Sequence, residues 1–377
     1  MAGSALQRWW RAGAGLWARR PRPPWRRAAP GRLDPGLMRL LERTSRSFYL
    51  SLRFLPGATR DTLALAYLLA RAADTVADTG LVPAAERAPF LEALRRRLSE
   101  PGEAGLAGLE ARLLGADPGD PERALLLHLA PLLDALDRLP PGDGARTVAA
   151  LETILDGMLL DRRWFPGGDA AGLRALASEA ELEHYCHCVA GVVGEYWTDL
   201  HAAHLPAVRD RAGALRPLGA RFGMGLQRLN ILRDLPRDLR RGRCYLPADE
   251  LARLGLAPRA LVDDPDAVHR AGPLLEALAR RTLSDLDAGW RYVRLLPRAE
   301  LRLRLCCAWP LMLGVETLGR LWRSGAWLDG GRLVKVRRVE VYRLLLESGA
   351  RAPSRRALDG LWRRLRAGLP PPARPGD

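Results

Sequence analysis

From Leu37 to about Ala367 the chain repeats apolar residues with the period of an α-helix, and this pattern limits what it can fold into. Leu, Ala and Arg dominate, and alternating Val, Ile and Thr are scarce, which favours helices over sheets. The breaks, for example at Pro56-Gly57, Pro140-Pro141-Gly142 and Pro247, are too short to be linkers between domains. The pattern predicts an all-α fold with about a dozen helices in one domain.

The two ends of the chain differ from this helical body. Residues 1–37 are rich in Arg, Pro, Gly and Trp, and the first acid is Asp34. We expect a disordered basic extension here, with three interpretations open: a plain extension or mis-assigned start, a membrane-surface arm, and a transit peptide. The Pro-rich residues 368–377 are expected to fray. The predicted helical domain is therefore 38–367.

The charge balance bears on the partners of the chain. A formal net charge of +16 and a pI near 10.8 suggest an anionic partner. Basic residues are nevertheless dispersed and no nucleic-acid recognition motif appears, so we expect no nucleic-acid binding but a phosphate-bearing ligand. The five cysteines form no disulfide framework, which fits a reducing compartment, and no apolar run reaches the roughly 18 residues that a membrane span requires.

Two pairs of aspartates carry the strongest chemical signal. Asp74 and Asp78 are four residues apart, and Asp234 and Asp238 repeat that spacing, so each pair lies on one face of a helix. Like charges at this spacing repel each other unless a cation bridges them. Oxygen ligands on one face suit Mg²⁺, which keeps several waters and recruits phosphate oxygens from a substrate. The pairs predict a diphosphate held between two helices.

The segment around Tyr185 is helical in period but contains Gly191 and Gly194. Each glycine costs about 1 kcal/mol relative to alanine inside a helix, so each needs a reason. Close packing of a neighbouring helix is one explanation, and a kink that admits a long ligand beside Tyr185 is the other.

Together these motifs resemble the squalene/phytoene synthase family in order and spacing, over roughly residues 37–350. The segments that carry the resemblance are Ser45-Arg46-Ser47-Phe48, Asp74 to Asp78, Tyr185-Cys186-His187 with Val189-Ala190-Gly191, and Asn230 to Asp238. The resemblance implies the single-domain, all-α isoprenoid synthase fold, with a central cavity between two aspartate-rich helices. Two departures are Ala77 and Arg237, which stand where many relatives carry a third acid, so metal affinity or stoichiometry is open.

The resemblance also implies roles for individual residues. Metal-bound diphosphates would be held by Asp74, Asp78, Asp234 and Asp238, which therefore count as catalytic and metal-binding. Tyr185 matches a tyrosine with acid/base and cation-stabilising work, and Tyr67 matches a cavity tyrosine, so both are expected to be catalytic. The predicted substrate-binding residues are Ser45, Arg46, Ser47, Arg71, Gln227, Asn230 and Arg233. The predicted cofactor-binding residues are Arg46, Arg71, Arg233, Lys335 and Arg337.

The implied reaction joins two farnesyl diphosphates head to head through presqualene diphosphate, and NADPH then reduces this intermediate to squalene. Two features favour the reductive reaction: His187 after Tyr185-Cys186, and Val334-Lys335-Val336-Arg337-Arg338, which resembles a cofactor-phosphate segment. Lys335 is the only lysine in the chain, which suggests a site that needs a compact ammonium. The alternatives are a non-reductive member that makes phytoene, dehydrosqualene or presqualene diphosphate, and a non-catalytic scaffold.

The remaining expectations concern the surroundings of the enzyme. We expect a monomer that is cytoplasmic and peripheral to the membrane, because the first 37 residues are basic and Trp-bearing and the product is apolar. Substrate chain length and the downstream pathway do not follow from the sequence.

Overall fold

The computed structural model describes residues 35–44, 48–55, 57–78, 81–100, 120–167, 169–325, 327–328, 334 and 336–371. The predicted extension falls largely outside these residues, but helix begins at Pro35, three residues before the predicted start of the domain at 38. The last helix ends at Arg366, next to the predicted end of the helical body. The domain boundaries otherwise stay predictions.

Helices form nearly all of the described structure, which confirms the all-α fold class. Ala- and Leu-rich stretches with strong helix propensity account for the long ones. In chain order they are α1 (Pro35–Thr44), α2 (Phe48–Phe54), α3 (Gly57–Asp78), α4 (Ala84–Ser99), α5 (Pro121–Leu127), α6 (Leu129–Asp137), α7 (Pro141–Trp164), α8 (Glu179–Cys186), α9 (Val192–His204), α10 (Pro206–Arg209), α11 (Ala212–Arg240), α12 (Ala248–Arg253), α13 (Ala260–Asp263), α14 (Ala267–Leu295), α15 (Leu301–Ser324), α16 (Arg338–Arg351) and α17 (Arg355–Arg366).

Helix α11 lies at the centre of the fold and packs against α14, α9 and α15. Its approach to α9 is close because glycines meet there: a Cβ on Gly194 would lie 1.8 Å from the carbonyl oxygen of Gly219. No side chain fits into that space, so Gly194 serves close helix packing, the first of the two explanations offered for it. This packing fixes the position of the second aspartate pair, which is on α11.

A short parallel sheet is the one departure from helix that matters for the site. Strand β1 (Arg174–Leu176) pairs with β2 (Arg243–Pro247), which follows α11 directly. The register places Arg174 opposite Arg243 and Ala175 opposite Cys244. Strand β2 is buried from Cys244 onward, so its side chains point into the fold beside the ends of α3 and α7.

Candidate active site

The first aspartate pair lies in the last two turns of α3. Tyr67, Arg71, Asp74 and Asp78 follow one another at intervals of four, three and four residues, so they share one face of this helix. Asp78 is the final residue of α3. Because the helix dipole is negative at its C-terminal end, carboxylates there are unfavourable without a nearby cation.

Arg71 supplies one such cation. Its guanidinium donates to Asp74 and, through Nη2, to Oε1 of Glu122 on α5 at 2.7 Å. Burial raises the pKa of Asp74; Arg71 opposes the rise and the charge of Asp78 adds to it. The predicted substrate arginine thus lies within the first motif, and Glu122, which positions it, was not predicted from the sequence.

The second motif lies on α11. Gln227, Asn230, Asp234 and Asp238 share one face of the helix, and the Asn230 amide donates to Oε1 of Gln227 at 3.4 Å. Arg233 holds Asp234 with two contacts, Nε to Oδ1 at 3.0 Å and Nη2 to Oδ2 at 2.7 Å. Each aspartate pair therefore has a neighbouring arginine that already pairs with one of its carboxylates.

Arg237 gives the second motif an additional positive charge. Its guanidinium lies 3.5 Å from Oδ2 of Asp234 and 3.8 Å from Oδ1 of Asp238. At the corresponding place in the first motif, Ala77 is buried and contributes no charge. The two departures noted in the sequence therefore differ in effect. Ala77 only removes a negative charge, whereas Arg237 also adds a positive charge between the paired carboxylates.

Arg243 of β2 joins the first motif to α7. Its Nη1 lies 3.1 Å from Oδ1 of Asp78 and 3.4 Å from Oδ2 of Asp161 on α7. Burial raises the pKa of Asp238 to about 6; Arg237 and Arg243 oppose the rise, whereas Asp234 and Asp78 add to it. The charges of Asp78 and Arg243 thus reach Asp238, so the ends of α3 and α11 lie near each other.

Tyr185 lies next to this charged cluster in a buried aromatic group. Its ring stacks on Tyr245 of β2 with centroids 5.1 Å apart, and its hydroxyl donates to the Tyr245 hydroxyl at 3.4 Å. Tyr245 in turn donates to Asp161. Burial raises the pKa of Tyr185 and of Tyr245 well above 10, so both hydroxyls stay protonated at neutral pH. Polar contacts thus run from Tyr185 to Asp161, Arg243 and Asp78.

Sequence reasoning missed three members of this group: Asp161, Arg243 and Tyr245. Arg243 and Tyr245 are two residues apart on a strand and so point to the same side, a spacing visible just after Asp238. Asp161 gave no comparable signal, because a single acid near a helix end is common on solvated surfaces. Tyr245 reaches Tyr185 from β2 and holds Asp161 of α7, so the group forms only when these distant segments pack together.

The chain beyond Tyr185 leaves regular helix for one π-helical turn, His187–Gly191. Gly191 lies against a neighbouring side chain there, since a Cβ would meet Cδ2 of His187 at 2.9 Å and Cγ of Met224 at 3.1 Å. The contacts of Gly191 therefore fit close packing, and the kink that admits a ligand beside Tyr185 stays a prediction.

A small apolar gap lies beside the first motif between α3, α4 and α7, with room for about one water molecule. Ala70 and Ala73 of α3 line it next to Asp74, and Ile154 and Leu155 of α7 line it about two turns before Asp161. It is too small to hold a hydrocarbon chain.

The remaining predicted residues either lie outside the described structure or make other contacts. Ser45, Arg46, Ser47 and Lys335 lie outside the described residues, so their predicted roles stay predictions. Arg337 precedes α16, is 80% exposed and pairs with Glu340 of its own helix at 2.9 Å. This contact differs from those of Arg71 and Arg233, which pair with motif aspartates.

The donor set suits a divalent metal that is shared with a substrate. In the part of the chain that the structure describes, no three His, Cys, Asp or Glu side chains gather into a metal cage. Mg²⁺ needs only one or two protein carboxylates when phosphate oxygens complete its coordination. Two aspartate pairs, each on one face of a helix, fit that requirement.

The raised pKa of Asp238 predicts that this carboxylate, when charged, lowers the free energy of unfolding of the metal-free protein. Above pH 6 the folded protein buries this charge, a cost of about 3 kcal/mol for a shift of this size. As the pH falls from 6 to 4, the folded state takes up the proton first, so the free energy of unfolding rises. We expect Asp238→Asn to be about 2 kcal/mol more stable than the wild type in EDTA at pH 8, with this pH dependence lost.

Urea unfolding from pH 4 to pH 8 measures this difference. Asp210→Asn, which changes an exposed aspartate, is the matched control and should leave the curve unchanged. If metal-free Asp238→Asn is no more stable than the wild type, the carboxylate is not buried at a cost.

Comparison with known proteins agrees with this geometry. The squalene/phytoene synthase family model matches residues 41–340. A phytoene synthase of Mycobacterium tuberculosis (strain ATCC 25618 / H37Rv) is 32% identical over 266 residues, 70% of this chain and 73% of that protein. A squalene synthase of Candida albicans (strain SC5314 / ATCC MYA-2876) is 26% identical over 316 residues, 82% of this chain and 66% of that protein.

The fold is similar to that of TcSQS in complex with the ligand E5700. The TM-score is 0.69 at 22% sequence identity, with 89% of this chain and 91% of that one covered. At this identity the likeness concerns the fold alone, whereas the family match spans most of the described helices and both aspartate motifs. The chain therefore belongs to the squalene/phytoene synthase family.

Proposed function

We propose that this prenyltransferase joins two farnesyl diphosphates head to head through presqualene diphosphate and that NADPH reduces this intermediate to squalene. The observation that carries the proposal is the pair of facing aspartate motifs linked by Arg243 to the buried Tyr185 group. A diphosphate leaving group needs cations, and the carbocation left behind needs an apolar or aromatic wall. In this fold the charged groups around Asp78 and the aromatic group around Tyr185 lie next to each other.

The charged residues would act on the diphosphate. A divalent metal held by Asp74, Asp78, Asp234 and Asp238 would neutralise charge on the leaving group. Arg71, Arg233 and Arg243 each pair with a motif aspartate, so exchange of a carboxylate for a phosphate oxygen would keep their charge at the site. Their planar donor groups would orient the leaving group away from the aromatic cluster.

The aromatic residues would act on the hydrocarbon. Trp164 lies edge-on to Tyr185 with ring centroids 6.4 Å apart, and Phe165 lies 5.2 Å from Tyr245. Such faces stabilise a nearby cation and supply few nucleophiles. The protonated Tyr185 hydroxyl can exchange a proton with the reacting carbon skeleton, and Tyr245 and Asp161 would hold it in place.

A non-reductive reaction is the second candidate, and a specific observation favours it. The M. tuberculosis relative at 32% identity is called a phytoene synthase, whereas the C. albicans squalene synthase is 26% identical. A scaffold role is less consistent with four retained aspartates whose charges converge on one space. The cytoplasmic, membrane-peripheral, monomeric state expected from the sequence stays a prediction.

A product assay tests the proposal. Purified protein is incubated with farnesyl diphosphate or geranylgeranyl diphosphate, each with and without NADPH, and the hydrocarbons are identified by mass spectrometry. We expect squalene from farnesyl diphosphate with NADPH, and presqualene diphosphate or non-reduced products without it. Phytoene from geranylgeranyl diphosphate, independent of NADPH, would instead establish the second candidate.

The reductive half can be tested separately through Lys335 and Arg337. We expect Lys335→Ala with Arg337→Ala to leave the first condensation largely intact, because neither residue belongs to the aspartate motifs. Squalene should fall, presqualene diphosphate should accumulate, and the apparent NADPH requirement should rise severalfold. An NADPH titration that quantifies both products measures this.

Arg343→Ala is the matched control, since Arg343 is also exposed on α16 and pairs with Glu347 at 3.0 Å, much as Arg337 pairs with Glu340. An unchanged squalene yield in the double variant at limiting NADPH would mean that these two charges do not bind the cofactor.

A further inference from the structure

The outer face of α16 carries an apolar stripe. Val339, Tyr342 and Leu346 are 76%, 42% and 42% exposed, and their spacing of three and four residues puts them on one helix face. They make up half of the six large apolar side chains exposed in the described residues, and the other three lie on three different helices. Such a concentration on one face indicates an interaction surface.

Packing within the domain does not explain this stripe. The opposite face of α16 is already buried through Leu344, Leu345 and Ser348. Leu345 belongs to a small apolar cluster with Trp309 of α15. One apolar face is enough to dock a surface helix on its domain, so the second face is available for a partner.

The charges around the stripe are positive. Arg338 and Arg343 flank it and are both exposed. The two acids of α16 are each shared by several arginines, which leaves a surplus of positive charge. Glu340 pairs with Arg320 of α15 at 2.7 Å and with Arg337, and Glu347 pairs with Arg343, Arg351 and Arg364. Residues 337–371 contain nine arginines and three acids. The stripe therefore lies in a basic surface.

We propose that this outer face of α16 docks on an anionic lipid bilayer. Val339, Tyr342 and Leu346 enter the boundary between headgroups and acyl chains, while Arg338 and Arg343 reach the lipid phosphates. In an anionic bilayer, the acyl chains would contact the apolar stripe and the negatively charged headgroups would contact the flanking arginines. The proposal goes beyond the proposed function and does not depend on which product the enzyme makes.

Charge also argues against two other occupants of this face, a second copy of the chain and the chain's own residues 1–33. A second copy docked face to face about a two-fold axis would bring the same arginines together. Residues 1–33 of the chain itself contain no acid, so the positive surface repels them. An anionic partner relieves the repulsion, and an extended planar one matches a straight stripe along about two turns of α16.

Fluorescent labelling of the full chain tests the contact directly. All five native cysteines are buried, so a cysteine placed at Leu346 can be labelled selectively with an environment-sensitive dye. Val262→Cys, at an exposed apolar residue of α13, is the matched control. The probes are vesicles of phosphatidylcholine with phosphatidylglycerol and vesicles of phosphatidylcholine alone, at low and high salt.

We expect the Leu346→Cys dye to shift its emission to the blue and to be quenched by brominated lipid, only with anionic vesicles and more weakly at high salt. The Val262→Cys dye should respond to neither vesicle. Equal responses at the two positions would overturn the proposal, because the chain would then bind lipid through another surface or not at all.

A triple variant provides a second measurement. Val339→Ser with Tyr342→Ser and Leu346→Ser should weaken co-sedimentation with anionic vesicles by about tenfold, since it removes most of the apolar area of the stripe. Val262→Ser with Leu295→Ser should bind like the wild type, and both variants should keep condensation activity in detergent. If sedimentation velocity shows that the triple change instead dissociates a dimer, the stripe is a subunit interface and the lipid proposal is wrong.

Discussion

Replacing Asp74 or Asp234 by asparagine should lower turnover by about a hundredfold or more, with helicity unchanged. Each change removes a charge that would help a metal neutralise the diphosphate leaving group, and each carboxylate now pairs with an arginine of its own helix. Asn keeps the size of the side chain, so the packing of α3 and α11 should be preserved. Product formation at saturating Mg²⁺ and far-ultraviolet circular dichroism measure the two effects.

Asp134→Asn is the matched control, because Asp134 is exposed on α6 and is not part of either motif. It should retain wild-type turnover. Near-normal activity of Asp74→Asn or Asp234→Asn at saturating Mg²⁺ would show that the corresponding aspartate pair does not hold the diphosphate.

Replacing Tyr185 by phenylalanine should lower turnover by about a hundredfold, the lower end of the range for a lost acid/base group. The ring and its stacking on Tyr245 remain, so the change removes only the hydroxyl. Tyr245→Phe should cost less, about tenfold, because Tyr245 would position Tyr185 and Asp161 without contacting the substrate. Single-turnover kinetics with farnesyl diphosphate separates this effect on chemistry from product release.

Tyr292→Phe is the control for these variants. Tyr292 is also fully buried and its hydroxyl lies 3.1 Å from that of Thr198, away from the aspartate motifs. If Tyr292→Phe slows the reaction as much as Tyr185→Phe does, loss of a buried hydrogen bond explains both results and Tyr185 has no special chemical role.

Local sequence patterns were sufficient for much of the fold and for part of the site. Helix α3 is recognisable from its Ala and Leu content, and the four-residue spacing places Asp74 and Asp78 on one face whatever surrounds the helix. The same holds for Asp234 and Asp238 on α11. Arg71 and Arg233 were found because they lie within one turn of an aspartate, where helix geometry alone brings side chains together.

The residues that sequence reasoning missed depend on contacts between distant segments. Arg243 reaches Asp78 across 165 positions of sequence, and Tyr245 reaches Asp161 across 84. Neither contact follows from periodicity, because β2 is short and its partners Asp78 and Asp161 lie on helices far from it in the sequence. The burial of Asp238 and the resulting rise of its pKa likewise depend on neighbours from other helices.

The sequence by itself determined the helical class of this protein, the faces that carry the two aspartate pairs and the family to which they point. These properties follow from spacings of three and four residues within single helices, which local backbone geometry fixes. The tertiary structure decided that the ends of α3 and α11 lie near each other, that Arg243 and Tyr245 link Asp78 to Tyr185 through Asp161, and that α16 has an apolar outer face. Those features depend on which helix faces are covered, and coverage is decided only when the whole chain packs.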